Sequence, residues 1–148
     1  MRIERIKNGI VMDHINAGVG IEILNLFPKE LLHTRIDYAA FIDSPSLGEK
    51  DIIKIENLNV DPATLMKMAI LSPKITISII RDGKVSKKIR PTVPPVIEGV
   101  LTCDNPKCVT RQEPYLATKF KVSREENRFI RQCLYCEHIF QTKIGTLS

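Results

Sequence analysis

Four cysteines fall in two tight pairs in the last third of the chain: Cys103 and Cys108 in CDNPKC, then Cys133 and Cys136 in CLYC after a gap of 24 residues. The pattern C-x4-C-x24-C-x2-C suits zinc, which takes four thiolates in a tetrahedron, because gaps of two to four residues let one turn deliver two sulfurs. Between the pairs, EPYLATKFKV and NRFIRQC read as two strands joined by SREE. Sulfur-bearing turns held by a small antiparallel sheet describe a zinc ribbon. About fifty residues with little apolar mass need such a staple to fold. Four protein ligands leave no open position, so the expected cofactor is one structural Zn2+ held by Cys103, Cys108, Cys133 and Cys136. His138 is expected to be a surface residue.

The stretch RPTVPPVIEG (Arg90 to Gly99) holds three prolines and reads as a stiff connector. It places a boundary near Val93, dividing the chain into residues 1–93 and 94–148. The formal charge of +5 belongs mostly to the front. Residues 1–93 carry 14 Lys/Arg and 11 Asp/Glu, and residues 94–148 carry 8 and 6. Four thiolates and one zinc ion change the second figure by −4 and +2, leaving about zero. A neutral zinc module grips a polyanion poorly. A nucleic-acid-binding zinc ribbon is the competing class, and few aromatic residues are available to stack bases. No long apolar run spans a membrane, MRIERIKNGIVMDH lacks a signal-peptide core, and paired cysteines fit reduced thiols, so a cytoplasmic protein is expected.

In the front part, GIVMDHI is a short strand and Asn16 to Phe27 has helical apolar spacing at Val19, Ile23, Leu24 and Phe27, weakened by Gly18 and Gly20. Arg35 to Ile42 and Asp51 to Asn57 read as strands. Asp61 and Pro62 open a helix with Leu65, Met68 and Ala69 on its apolar face, ended by Ser72-Pro73. KITISII and KVSKKIRP form a hairpin through Arg81-Asp82-Gly83. The order βαββαβ with one extra strand is ferredoxin-like, so the fold class is α+β: this domain followed by an all-β zinc ribbon. That topology leaves Arg35 to Ile42 at a sheet edge with apolar residues on both faces, which predicts a homodimer joined there. RDGKVSKKIR is the densest cationic stretch; by strand parity Lys84, Lys88 and Arg90 share a face and Lys87 takes the other. Lys54, amid isoleucines, is either a snorkelling edge residue or a ligand-facing cation. Asp13 with His14 is the only acid-base pair in view and has no third partner, so no enzyme is expected.

IERIKNGIVMDHI, DIIKIEN, KKIRPTVPPVIEGVLTCDNPKC and CLYCE resemble the regulatory chain of aspartate carbamoyltransferase over nearly the whole length. The resemblance implies a non-catalytic chain of pyrimidine biosynthesis that dimerises and bridges catalytic trimers. It implies CTP as inhibitor, UTP reinforcing it, ATP as activator, and docking on the catalytic chain through the zinc domain. Carried over residue by residue, Lys54 and Lys88 contact sugar and phosphates, and Asp13 and His14 lie beside them. Val11, Ile80 and Val85 wall the base, and Ile6 offers it a backbone contact. Asn105 and Glu137 match the interface with the catalytic chain. Ser78, Gly83, Arg5 and Lys107 depart from the family's usual residues, the first three at the nucleotide site.

Overall fold

The computed structural model describes residues 6–31 and 33–147. Arg5, one of the departures noted above, lies outside them. The first sheet contains β1 (Gly9–Asn16), β2 (Ile36–Ser44), β3 (Gly48–Glu56), β4 (Thr76–Arg81) and β5 (Lys84–Ile89), all antiparallel in the order β2-β3-β1-β4-β5. The second contains β6 (Val96–Glu98), β7 (Lys119–Glu125), β8 (Arg128–Cys133) and β9 (Ile139–Lys143) in sequence order. The helices are α1 (Gly20–Leu24), α2 (Pro62–Leu71) and the single turn α3 (Val109–Gln112). This is the expected α+β class, with a cysteine cluster against the second sheet. No helix among the described residues is long and apolar enough to cross a membrane.

Alternation decides the faces of the first sheet. Ile10, Met12, Ile53, Ile55 and Ile77 are buried on one side with Ile23, Met68 and Leu71 from α1 and α2. Val11, Lys54 and Ser78, the residues between them, lie on the other, open side. The expected start of α2 is present: Asp61 Oδ1 accepts the Thr64 amide at 2.7 Å, with Pro62 at the first helical position.

The helix expected over Asn16 to Phe27 is much shorter, because β1 runs to Asn16 and the chain after Asn25 tightens into i→i−3 bonds at Leu26 and Phe27. Its start is capped from a distance. The Asp51 carboxylate, 0% exposed, accepts the amides of Gly18 at 3.2 and 3.1 Å, Gly20 at 2.9 Å and Phe41 at 3.0 Å, and the Tyr38 hydroxyl at 2.6 Å. The Ile21 amide reaches the same Tyr38 oxygen. A carboxylate at a helix N-terminus is favoured by the exposed amides there. Burial, and then the hydrogen bond to Asp51, raise the Tyr38 phenol above its ordinary pKa, so it stays a donor. The glycines fit this arrangement: a Cβ on Gly20 would lie 2.6 Å from the Tyr38 ring.

Helix α2 packs into both cores, Met68 and Leu71 into the first and Ile70 into the second. A helix leaves its last four carbonyls unused, and here each has a partner. Met68 O accepts the Ser72 amide at 2.9 Å, Arg124 Nη2 donates to Ala69 O at 3.4 Å and Ile70 O at 3.1 Å, and the Gly145 amide donates to Leu71 O at 2.9 Å.

Asp51→Ala removes the buried acceptor shared by four donors. The expected loss is about 3 kcal/mol of stability, read as a lowered urea midpoint of the front domain, with Asp51→Asn less damaging.

Candidate metal centre and open sheet face

The four cysteines converge from four positions along the chain. Cys103 follows β6, Cys108 caps α3, Cys133 ends β8, and Cys136 lies in the turn before β9. Their sulfurs all lie within 4.8 Å of one another, with Cys103 to Cys136 and Cys108 to Cys133 both at 3.7 Å. Sulfurs bound at about 2.3 Å in a tetrahedron lie about 3.8 Å apart. The spacing therefore fits a central metal ion, and all four thiols are free of disulfides.

Both turns aim polar hydrogens at the sulfurs. Backbone groups of Asn105 face Cys103, those of Tyr135 and Cys136 face Cys133, and His138 and the Asn105 side chain face Cys136. Burial pushes the Cys103 thiol up to about 12 and the Cys133 thiol up as well. At Cys108 burial acts the same way but is outweighed by the hydroxyl, at 3.1 Å, and the amide of Thr110, which bring that thiol down to about 7. Arg111 Nη1 donates to the Cys103 carbonyl at 2.9 Å. His138 stays exposed beside Phe140 and outside the cluster. Asn105 also accepts the Lys107 amide at 3.1 Å, and Glu137 closes the second turn at φ 65° with its amide on Cys133 O at 2.9 Å.

The second concentration of predicted residues is the open face of the first sheet. Register aligns Asp37, Lys54, Val11, Ser78 and Lys88 in one row across five strands. Asp37 is drawn off by Arg35 at 3.3 Å. Beside the row lies a cleft of about 350 Å³ lined by Ile6, Val11, Lys54, Ile80, Gly83, Lys84 and Val85. Ile6 is held there because the Asp82-Gly83 turn donates to Lys7 O at 2.8 Å and Asn8 Oδ1 at 3.2 Å.

Simple parity would put Val85 and Lys88 on opposite faces. A bulge puts them together: β4 pairs Ile79 with Lys87 but Ile80 with Val85, so one residue of β5 is skipped. Grouping Lys84 with Lys88 by parity fails for this reason, although Lys84 still reaches the rim of the cleft.

Asp13 and His14 sit apart from the cleft, at a second bulge between Met12 and Ile15. His14 has φ 55°, its amide donates to Asp13 Oδ1 at 2.6 Å, and its Nδ1 lies 3.0 Å from Thr76 Oγ1. It borders a hollow of about 500 Å³ with Ser46, Lys74, Thr76 and Arg90. Burial works against ionisation of Asp13, but Lys50 at 2.9 Å and the His14 amide outweigh it and hold the carboxyl below its ordinary value. The sequence reading passed over Lys50, Lys74 and Thr110. Thr110 was accessible as a hydroxyl two residues after a cysteine, whereas the two lysines carry no local signal.

The model for "Aspartate carbamoyltransferase regulatory chain, allosteric domain" matches residues 1–92, and that for the same chain's "metal binding domain" matches residues 95–145. The chain is 37% identical over 146 residues to the aspartate carbamoyltransferase regulatory chain of Aliivibrio salmonicida, covering 99% of this chain and 94% of that one. It is 41% identical over 140 residues to that of Methanocaldococcus jannaschii, covering 93% and 90%. For Methanothermobacter thermautotrophicus the figures are 36% over 141 residues, 95% and 90%.

One metal ion per chain is the expected stoichiometry, with proton release on binding because thiols must ionise. Elemental analysis and a chelator titration check this, and metal affinity should fall as pH is lowered and fall sharply in Cys103→Ala.

Proposed function

This chain belongs to the family of aspartate carbamoyltransferase regulatory chains, and on that premise we propose that its front domain is an effector site for CTP and ATP. It is a regulatory chain, not a catalytic one, and it associates with a catalytic chain. The observation that carries the nucleotide reading is the row on the open face. An apolar cleft lined by Ile6, Val11, Ile80 and Val85 suits a flat base, and Lys54 and Lys88 flank it where a sugar and its phosphates leave the cleft. The phosphates extend along β1 towards Asp13 and His14, next to the cations Lys74 and Arg90. Ser78, between Val11 and Lys88 in the row, and Gly83, at the rim, leave more room than larger side chains would. UTP reinforces CTP at the same domain.

CTP inhibits and ATP activates by binding better to different states of the assembly, since an effector shifts an equilibrium only by its differential affinity. A coupling of about 1–3 kcal/mol is sufficient. Residues 1–93 form the effector domain and 94–148 the docking domain, whose centre is one structural zinc ion on Cys103, Cys108, Cys133 and Cys136. Val109, Tyr115, Leu134, Tyr135 and Ile139 are exposed hydrophobic residues of the cysteine-bearing half. With Asn105 and Glu137 they make the surface that docks on the catalytic chain and so bridges catalytic trimers in the cytoplasm.

Regulatory chains pair through the edge of the first sheet. Strand β2 is outermost, and at its bulge between Ala39 and Ile42 lies the strained Phe41, φ 55°, a residue 58% exposed. Tyr38 is unsuited to test this edge, because its hydroxyl is committed to Asp51. Sedimentation of Phe41→Asp should give monomers where the parent gives dimers; a parent that is monomeric at micromolar concentration refutes the pairing.

Calorimetric titration of CTP into the metal-loaded chain tests the effector site. Saturable binding that weakens at least about tenfold in Lys88→Ala, a loss of about 1.4 kcal/mol, is the expected result. A parent chain that takes up neither CTP nor ATP overturns the reading.

A further inference from the structure

Arg131 is the largest fully buried side chain among the described residues, at 1% exposure, and neither the metal ligands nor the open face uses it. A guanidinium stays charged in a protein, so its burial needs compensation. Nη2 lies 2.5 Å from Asp104 Oδ2, and Nη1 donates to the Leu147 carbonyl. The guanidinium carbon lies over two rings, 5.5 Å from the centroid of Phe120 and 5.2 Å from that of Phe140. Nε is buried with no hydrogen-bond partner among the described residues. The Asp104 side chain is 41% exposed, so water screens much of the one formal counter-charge that contacts this cation among the described residues.

The placement of Arg131 relative to the cysteines supplies the rest. Arg131 stands two residues before Cys133 on β8, which puts both on the same face with Cα atoms about 6.8 Å apart. Phe120, the ring beneath the guanidinium, pairs directly with Cys133 and is packed in one buried cluster with Cys103, Cys108 and Cys133. Asp104 directly follows Cys103. Four thiolates around a divalent ion sum to −2, and a net charge in a buried cluster is costly unless something answers it. Arg111, a second cation that contacts this region, is exposed and therefore screened.

We propose that Arg131 is the buried counter-charge of the four-cysteine metal centre, a positioning residue that raises its metal affinity from outside the ligand set. The inference rests on the reading of those cysteines as a metal centre. A structural role for the Arg131–Asp104 ion pair makes a different prediction. If the pair matters as a pair, loss of either partner weakens metal binding. If the cation serves the cluster, Asp104 works against it, because its carboxylate offsets the guanidinium and adds negative charge beside Cys103.

The test is the zinc affinity of the full chain, measured by competition with a chromophoric chelator. Arg131→Met should bind zinc about 10–100-fold more weakly, the usual cost of removing a group that supports metal ligands, and Arg131→Lys should recover most of the loss. Asp104→Asn, which keeps an acceptor for Nη2, should bind zinc severalfold more tightly. An Asp104→Asn chain with unchanged or weaker affinity overturns the proposal, as does an Arg131→Met chain equal to the parent. Should Arg131→Met fail to fold, the direction of the Asp104→Asn change decides alone. A parent chain that binds no zinc defeats the metal reading itself, and this inference with it.

Discussion

A helix cannot satisfy its own last carbonyls, and the end of α2 meets that constraint with groups from the other half of the molecule. Arg124 takes two of the carbonyls and the Gly145 amide a third. The helix also contributes Ile70 to the metal-side core while Met68 and Leu71 stay in the sheet-side core. Leu147 touches both cores from the far end of the chain. Separating the halves would therefore expose apolar surface and exchange these hydrogen bonds for bonds to water, at a net cost of about 0.5–1.5 kcal/mol each. Past Ser72, the same chain becomes β4, where Thr76 meets His14. One continuous segment thus joins the seam to the phosphate end of the proposed effector site. It consists of hydrogen-bonded backbone over most of its length, which makes it stiff.

Bulges do comparable work within the first sheet. Three interruptions of register, in β1, in β2 and between β4 and β5, each move a side chain to where strict alternation would not put it. One turns His14 to φ 55° beside Asp13, one exposes Phe41 at the edge, and one brings Val85 to the face of Lys88. Extra residues in a ladder increase local twist and re-aim side chains, and left-handed bulky residues carry about 1–3 kcal/mol of strain each. At Phe41 that strain is opposed by the hydrogen bond its amide donates to Asp51 Oδ1. The open face is therefore a product of local irregularity on a regular scaffold.

This explains what the sequence does and does not disclose. Cysteine spacing, the Asp61-Pro62 helix start, the Asp82-Gly83 hairpin and the βαββαβ order all depend on neighbours within a few residues, and each is found in the structure. Periodicity fails where the partner is distant. The end of β1 and the shortness of α1 are set by Asp51, some thirty residues away, and the skipped residue of β5 is set by pairing with β4. Strands β6 and β9 also escape a reading of two ribbon strands, because β6 is three residues inside a proline-rich connector and β9 follows the second cysteine pair immediately. Lys54 illustrates the intermediate case: alternation alone left it either an edge residue or a ligand-facing cation, and the strand order rules out the edge, since β3 has neighbours on both sides.

Two buried ions, Asp51 and Arg131, show how differently the halves treat charge. Asp51 has no cation among its described contacts; four neutral donors surround it, three of them backbone amides fixed by the fold. Such a carboxylate acts as structure, because its charge is satisfied in place and organises the loop and edge around it. Arg131 is arranged the other way. Its acid partner is half in water, its Nε lacks an acceptor among the described residues, and its guanidinium carbon lies over rings whose negative π-clouds attract a cation only modestly. A fold that kept Arg131 only for packing could have used an uncharged side chain at less cost. An incompletely answered positive charge beside four thiols has a physical rationale once those thiols are ionised around a metal, since the cluster then carries the negative charge that the guanidinium lacks.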